Sequence, residues 1–281
     1  MPDSSEIIKN SPEIWSHIDL TPAIDGHKYD RGHVAILGGC DLTGAACMAA
    51  DAAMHIGAGL CSIMSQSKSL SVYKSFKPYI MVEEIDGLSD FLAHIKSKKR
   101  NSIVIGPGAG GVDDGSLCDV VINSLKLNKP ILLDADVFSA FAGNIELLAN
   151  FSHNNVVYTP HEGEYKKIFP KTDGDRIKMA IYASSILKGV FVLKGAETII
   201  ISRGKPTVIQ KDSSPWLATA GAGDVLSGMI SGLVAQNIPA YEASCMAVWI
   251  HSEVGKMVGV GLVATDIIDK MSIILKKIIK N

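Results

Sequence analysis

No sign of charge prevails in the sequence. Its 27 Lys and Arg residues stand against 29 Asp and Glu, a formal net charge of -2, so neither a basic nucleic-acid surface nor a polybasic membrane patch is written into the composition. The basic runs "KSKKR" (Lys96 to Arg100) and "LKKIIK" are short and read as solvated helix ends. No apolar run is long enough to cross a bilayer. The polar, acid-bearing start "MPDSSEIIKNSPEIW" does not read as a secretory leader. The five cysteines, Cys40, Cys47, Cys61, Cys118 and Cys245, are odd in number and lack CxxC spacing, which reads as buried thiols in a reducing cytoplasm. No His, Cys and acid grouping has zinc-ligand spacing. Ser/Pro-rich linkers and internal repeats are also missing.

What the sequence does contain is alternation. Apolar runs such as "HVAILGG", "LCSIMS", "YIMVEE", "NSIVIGPG", "PILLDAD", "NNVVY" and "VFVLKGAET" read as strands. Helical stretches lie between them, including the alanine-rich "GAACMAADAAMHIGAG", "LSDFLAHIKSKK", "SLCDVVINSLKL" and "DRIKMAIYASSILK". "TIIIS" and "PTVIQK" read as a hairpin around Arg203 and Gly204, followed by two long helices and a last one from near Thr265. This order predicts an α/β fold, an open and mainly parallel sheet with helices on both faces. Residues 1–281 read as one domain, with residues 1–28 as an N-terminal arm. Ligands of such sheets bind outside the carboxyl ends of the strands, and that is where "GG", "GPGAG", "DAD", "TPHEGE" and "KGAET" all fall.

The segment "ATAGAGDVLSG" (Ala218 to Gly228) places three glycines where a helix begins, with Asp224 on its first turn. Such a turn leaves backbone N–H groups unpaired at the positive end of the helix dipole and so prepares an anion site. Asp224 either complements the dipole or acts on a group beside a bound phosphate. The sequence pattern alone leaves both open.

The ordered set "LGGCDLTGAACMAADAAMHIGAGL", "VIGPGAG", "LLDADVF", "TPHEGEY", "VLKGAETIII", "LATAGAGDVLSG" and "GLVATDII" resembles the ADP/ATP-dependent NAD(P)H-hydrate dehydratases, of the ribokinase-like superfamily, from about His27 to Ile268. The resemblance implies a ribokinase-like fold. It implies dehydration of the S epimer of hydrated NADH or NADPH, with ADP or ATP as co-substrate (ADP expected) and Mg2+. The ring hydroxyl is phosphorylated and phosphate then leaves. It assigns Asp224 as catalytic base and the N–H groups of Ala222, Gly223 and Asp224 as anion hole. It assigns Lys194, Gly195, Ala196, Glu197, Thr198 and Gly223 to the nucleotide, and Ala45, Gly108, Gly110, His161 and Asp224 to the hydrate. Glu164 is a candidate to hold a magnesium-bound water, or else only a helix-start carboxylate.

The resemblance further implies a cytoplasmic homo-oligomer, a tetramer as in relatives, and no membrane or nucleic-acid partner. The chain reads as a free-standing dehydratase with no epimerase domain, acting with a separate epimerase. His161 reads as a pocket residue whose loss leaves thermal stability nearly unchanged. Two departures stand out. Glu162 occupies the place of the family's usual proline in "PHPGE", which is expected to loosen the loop and add a charge near a phosphate-bearing substrate. Ala220 and Ala222 replace a glycine and a hydroxyl residue in "TGGTGD", which removes one phosphate contact. A vitamin-alcohol kinase of the same superfamily is the alternative, although His161 stands where such kinases carry asparagine. A nucleotide sensor without catalysis is a third reading, opposed by the presence of Asp224.

Overall fold

The computed structural model describes residues 6–110, 115–170 and 174–279. Ten strands and eleven α-helices lie among them, in chain order β1 (Ile7–Lys9), β2 (His33–Leu37), α1 (Thr43–His55), β3 (Leu60–Ser65), α2 (Ser67–Lys74), β4 (Met81–Glu84), α3 (Leu88–Lys96), β5 (Ser102–Ile105), α4 (Ser116–Leu125), β6 (Ile131–Leu133), α5 (Asp136–Ala140), α6 (Ile145–Phe151), β7 (Val156–Tyr158), α7 (Glu162–Ile168), α8 (Arg176–Ile186), β8 (Val190–Leu193), β9 (Thr198–Ser202), β10 (Thr207–Gln210), α9 (Ala222–Ala235), α10 (Ala240–Val258) and α11 (Ala264–Ile278).

The strands form one sheet in the order β1-β10-β9-β8-β7-β6-β5-β2-β3-β4. Only β9 runs against its neighbours, β8 and β10. The period-2 alternation of each strand feeds two cores. Val34, Ile36 and Val104 point to a layer built with α1, α9, α10 and α11. Ala35, Ile103 and Ile105 point to a layer built with α3, α4, α5, α7 and α8. Burial on both faces is why the strands read as continuous apolar runs.

The alanines of α1 serve close packing. A Cβ on Gly228 of α9 would lie 2.1 Å from the Ala49 carbonyl oxygen, and one on Gly232 would lie 2.7 Å from that of Ala53. Two helices this close tolerate only small residues at the crossing.

Three differences from the sequence reading have local causes. "VFVLKGAET" is two strands joined by the loop Lys194–Glu197. "HEGE" opens the helix α7 instead of remaining a loop. Within the expected arm, Ile7–Lys9 pair in parallel with β10. Asn10 donates from Nδ2 to Gln210 Oε1 and to the Cys245 carbonyl, both at 2.9 Å, and Trp15 is 3% exposed against Trp249. The first five residues of that arm lie outside the described residues.

The topology fixes where ligands can sit. β2 lies inside the sheet, third from the β4 edge; β3 and β4 add on one side of it, and β5 adds on the other. The switch point therefore lies between β2 and β5, where "GG" and "GPGAG" end their strands.

Candidate active site

The site begins with the turn into α9. Gly221 has φ +87°, in the left-handed region, and a Cβ there would meet Met48 Sδ at 2.4 Å. Its bend aims the first turn of the 14-residue helix at the carboxyl ends of the strands. The Ala222 N–H donates to the Thr219 carbonyl at 3.3 Å, so it is removed from the expected anion hole. The Gly223 and Asp224 N–H groups have no backbone acceptor among the described residues. These two remain as open donors at the helix dipole's positive end.

Lys194, at the end of β8, faces that turn. Its Nζ lies 2.8 Å from Asp134 Oδ1 and 3.9 Å from Glu164 Oε2. Ser227 Oγ donates to the other Asp134 oxygen at 2.7 Å. A Cβ on Gly223 would lie 3.2 Å from Lys194 Nζ, so glycine there lets the helix start approach the ammonium.

Three carboxylates, Asp134, Glu164 and Asp224, thus surround one lysine. Burial, and next the charge of Asp134, push the Asp224 carboxyl up to about 6, with Lys194 pulling the other way. Burial also raises Glu164. Burial works against the charge on Lys194, but Asp134 and Glu164 outweigh it and its pKa is raised.

Two cavities lie at the carboxyl ends of the strands, and only the first is lined by a member of this cluster, Lys194. The first, about 600 Å³, is lined by Lys194, Gly195, Ala196, Thr198 and Gly223 and by an apolar shelf that includes Pro215, Leu217, Leu226 and Val248. The second, about 560 Å³, sits at the β2/β5 switch point and is lined by Gly38, Gly39, Gly108, Gly110 and Asp136 among others. Asp224 feels Lys194 from the first cavity and Asp136 from the second.

The sequence-predicted residues fall unevenly between the two cavities. Glu197 is exposed and does not line the first one; its carbonyl accepts from Arg176 Nη2 at 3.2 Å. Gly108 and Gly110 line the second cavity, but Ala45 lines neither and sits in the first turn of α1. His161 lines the first cavity beside Lys194, apart from Gly108 and Gly110. It is also structural. Its Nδ1 accepts the N–H groups of Gly163 (2.9 Å) and Glu164 (3.2 Å), while Glu164 Oε2 accepts the His161 N–H at 2.7 Å. This reciprocal pair caps α7, so the expectation of no stability cost at His161 is corrected. Glu164 has the helix-start role as well. Glu162 does not loosen the loop: it pairs with Lys166 at 2.8 Å and with Arg176 at 3.0 Å.

Asp134, Arg176 and His251 belong to the site's surroundings without any role that the sequence pattern assigns them. Asp134 stood in the quoted "DAD", a strand-end carboxylate that could have been picked out. Arg176 and His251 sit within helices and carry no local signal. His251 Nε2 lies 3.0 Å from the Ala222 carbonyl, and burial holds its pKa down at about 4, so the ring is neutral and donates.

Among the described residues no group of three or more His, Cys, Asp and Glu could hold a metal ion, and no helix is long and apolar enough to cross a membrane.

Comparison with known proteins extends over most of the chain. It is 31% identical over 248 residues to the ADP-dependent (S)-NAD(P)H-hydrate dehydratase of Neisseria meningitidis, covering 84% of this chain and 80% of that one. It is 32% identical over 248 residues to the bifunctional NAD(P)H-hydrate repair enzyme Nnr of Synechocystis, covering 85% of this chain and 46% of that one. The chain therefore spans about half the length of its bifunctional relatives. In fold it superposes on the Bacillus subtilis ADP/ATP-dependent NAD(P)H-hydrate dehydratase co-crystallized with ATP/Mg2+, with TM-score 0.80, 22% identity, and 98% and 99% of the two chains covered. Residues 34–272 match the family profile described as NAD(P)H-hydrate dehydratase, and the chain belongs to that family.

Proposed function

We propose that this chain uses ADP, or ATP, to dehydrate the S epimer of hydrated NADH and NADPH. One observation carries the reading: Asp224, a carboxylate of raised pKa within the field of Lys194, stands on the first turn of a helix whose N-terminus has open N–H donors, next to Gly223 in the lining of the first cavity. The first cavity takes the nucleotide, with the base on the apolar shelf and the phosphates toward Lys194 and the Gly223 N–H. The second takes part of the hydrated dinucleotide.

Hydroxide is a poor leaving group and phosphate a good one. Asp224 accepts the proton of the ring hydroxyl as its oxygen attacks the terminal phosphoryl group. The Gly223 and Asp224 N–H groups and Lys194 stabilise the charge on the transferring phosphoryl. AMP leaves when ADP is the donor. The C–O bond then breaks, phosphate departs, and loss of a proton from the adjacent carbon restores the ring double bond. A base of pKa about 6 is ionised at neutral pH and still basic enough to take the proton.

A magnesium ion would be held here by Glu164 together with the nucleotide's phosphates. It commonly binds through one or two carboxylates together with substrate phosphates, and the donor set fits: Glu164 is a single buried carboxylate near Lys194. When bound, the ion neutralises phosphate charge.

The reading extends to a cytoplasmic homo-oligomer, a tetramer, working with an epimerase activity that supplies the S epimer. Light scattering on the purified chain tests the assembly. The catalytic reading is tested by regain of reduced-nicotinamide absorbance from the S hydrate, with ADP and ATP compared, alongside a panel of vitamin alcohols. Phosphorylation of a vitamin alcohol with no action on the hydrate would replace the dehydratase reading by the kinase one.

A further inference from the structure

The loop Lys194–Glu197 owes its shape to a residue outside it. Arg176, the first residue of α8, donates from Nη2 to the carbonyls of Leu193 (3.1 Å), Lys194 (2.9 Å) and Glu197 (3.2 Å), and from Nη1 to Glu162 Oε2 (3.0 Å). Three carbonyl oxygens converging on one point repel each other unless a cation sits among them. With the carbonyls gathered there, the N–H groups of Gly195, Ala196 and Glu197 have no backbone acceptor among the described residues, and Gly195 and Ala196 line the first cavity. Consecutive unpaired N–H groups of this kind make an anion-binding concavity.

Gly195 fits the same account. A Cβ there would lie 2.5 Å from Arg176 Nη2 and 2.8 Å from Cζ, so the loop backbone lies directly on the guanidinium. Glu162 supplies the counter-charge. Its carboxyl is held below the usual range by Lys166 and then by Arg176. A proline at position 162 could not do this.

We propose that Arg176, held by Glu162, is a positioning residue for the adenine nucleotide: it folds residues 194–198 into the phosphate-binding wall of the first cavity. The proposal rests on the reading of that cavity as the nucleotide site. Lysine cannot replace it, because a single ammonium lacks the planar fork that serves Glu162 and the carbonyls together.

The test is calorimetric titration of the full chain with ADP, paired with steady-state kinetics and melting curves. Arg176→Gln should raise the ADP Kd and KM about tenfold, with kcat and the hydrate KM little changed. Arg176→Lys should recover only part of the affinity. Glu162→Pro suits the first position of a helix and should keep the fold while raising the ADP Kd about threefold. Combined with Arg176→Gln it should add nothing further. Unchanged ADP affinity in Arg176→Gln and Glu162→Pro, whatever their melting temperatures, would overturn the proposal and leave the nucleotide reading standing. A wild-type chain that binds neither ADP nor ATP would overturn both. Should Arg176→Gln fail to fold, Arg176→Lys and Glu162→Pro decide.

Discussion

Two charged clusters sit at opposite ends of this sheet's strands, and they differ in balance. At the carboxyl ends of the strands, Asp134, Glu164 and Asp224 share one lysine, Lys194. Near the amino ends of β2 and β5, Arg100 reaches Glu83 with Nη2 at 2.7 Å to both oxygens, His94 Nδ1 meets Glu83 Oε2 at 2.6 Å, and His33 Nε2 meets Ser62 Oγ at 2.8 Å. The second cluster satisfies its charges. Although burial opposes it, Glu83 is held below its usual range by its hydrogen bonds and by Arg100. His33 is pushed down to about 4 by burial and by Arg100. The first cluster leaves carboxylates in excess, and the pKa values of Glu164 and Asp224 rise. Surplus buried charge of one sign costs stability, and it persists where a reaction uses it; balanced charge serves the fold.

The largest effect should separate the clusters by rate. Asp224→Asn removes the base and should lower kcat by about 10²–10⁴-fold, with ADP still bound. It also removes a carboxylate that is costly to ionise, so the melting temperature should hold or rise. A carboxylate that merely complemented the helix dipole would give the reverse, a stability loss of about 0.3–1 kcal/mol and little loss of rate. In the wild type, kcat/KM should fall as the pH drops through about 6. The limb in kcat should lie higher, because bound phosphates add negative charge beside Asp224. A flat rate from pH 5 to 8 would exclude Asp224 as the base.

A smaller effect should appear in stability alone. Glu83→Gln leaves Arg100 without its carboxylate. Breaking a buried pair costs about 3–5 kcal/mol, and partial exposure here reduces that to about 1–3 kcal/mol, with kcat unchanged. The pH dependences should have opposite signs. His33 and Glu83 are lowered in the folded chain, so their contribution is present at neutral pH and is lost on acidification, for His33 between pH 6.5 and about 4. Asp224 is raised, so its penalty is full above about pH 6 and disappears as the pH falls toward 3.8. The stability gain of Asp224→Asn should therefore be visible at pH 8 and absent near pH 4. A gain that grows on acidification would contradict this assignment.

The contrast also explains what could be read from the sequence. Strand-end motifs are local: glycines, a lysine and an acid next to an apolar run announce themselves, and parallel topology brings their ends together. The alternation of runs gave the sheet. The eight-residue α2 carries little sequence signal, because five residues of "SKSLSVYK" are serine or lysine and its buried apolar side chains are Leu70 and Tyr73. Three-residue β1 is too short for any periodicity. What makes the site chemical is non-local. Lys194 and Asp134 are 60 positions apart, and Ser227 and Asp134 are 93 apart. No window along the chain contains such a pair, so Asp134 looked like one more acid in "DAD". Arg176 carries no mark of its own within "DRIKMAIYASSILK", and Glu162 reads as a disturbance because its partner lies 14 positions away, outside its motif.

The smallest effect belongs to His161, where both kinds of role meet in one side chain. Its Nδ1 accepts two N–H groups at the start of α7, which places the ring proton on Nε2, and that atom lies 3.4 Å from Glu164 Oε1. His161→Ala removes the cap and should cost about 1 kcal/mol of stability. His161→Asn retains a side-chain acceptor of the kind preferred at helix N-caps and should recover most of that loss. The two substitutions agree on what they remove from the cavity wall, the imidazole beside Lys194. If the ring also contacts ligand, KM should rise in both variants although only the alanine variant melts early. Should Asn restore stability and kinetics together, His161 is a cap alone, and the first cavity recognises its ligand through Lys194, the 194–198 loop and the start of α9.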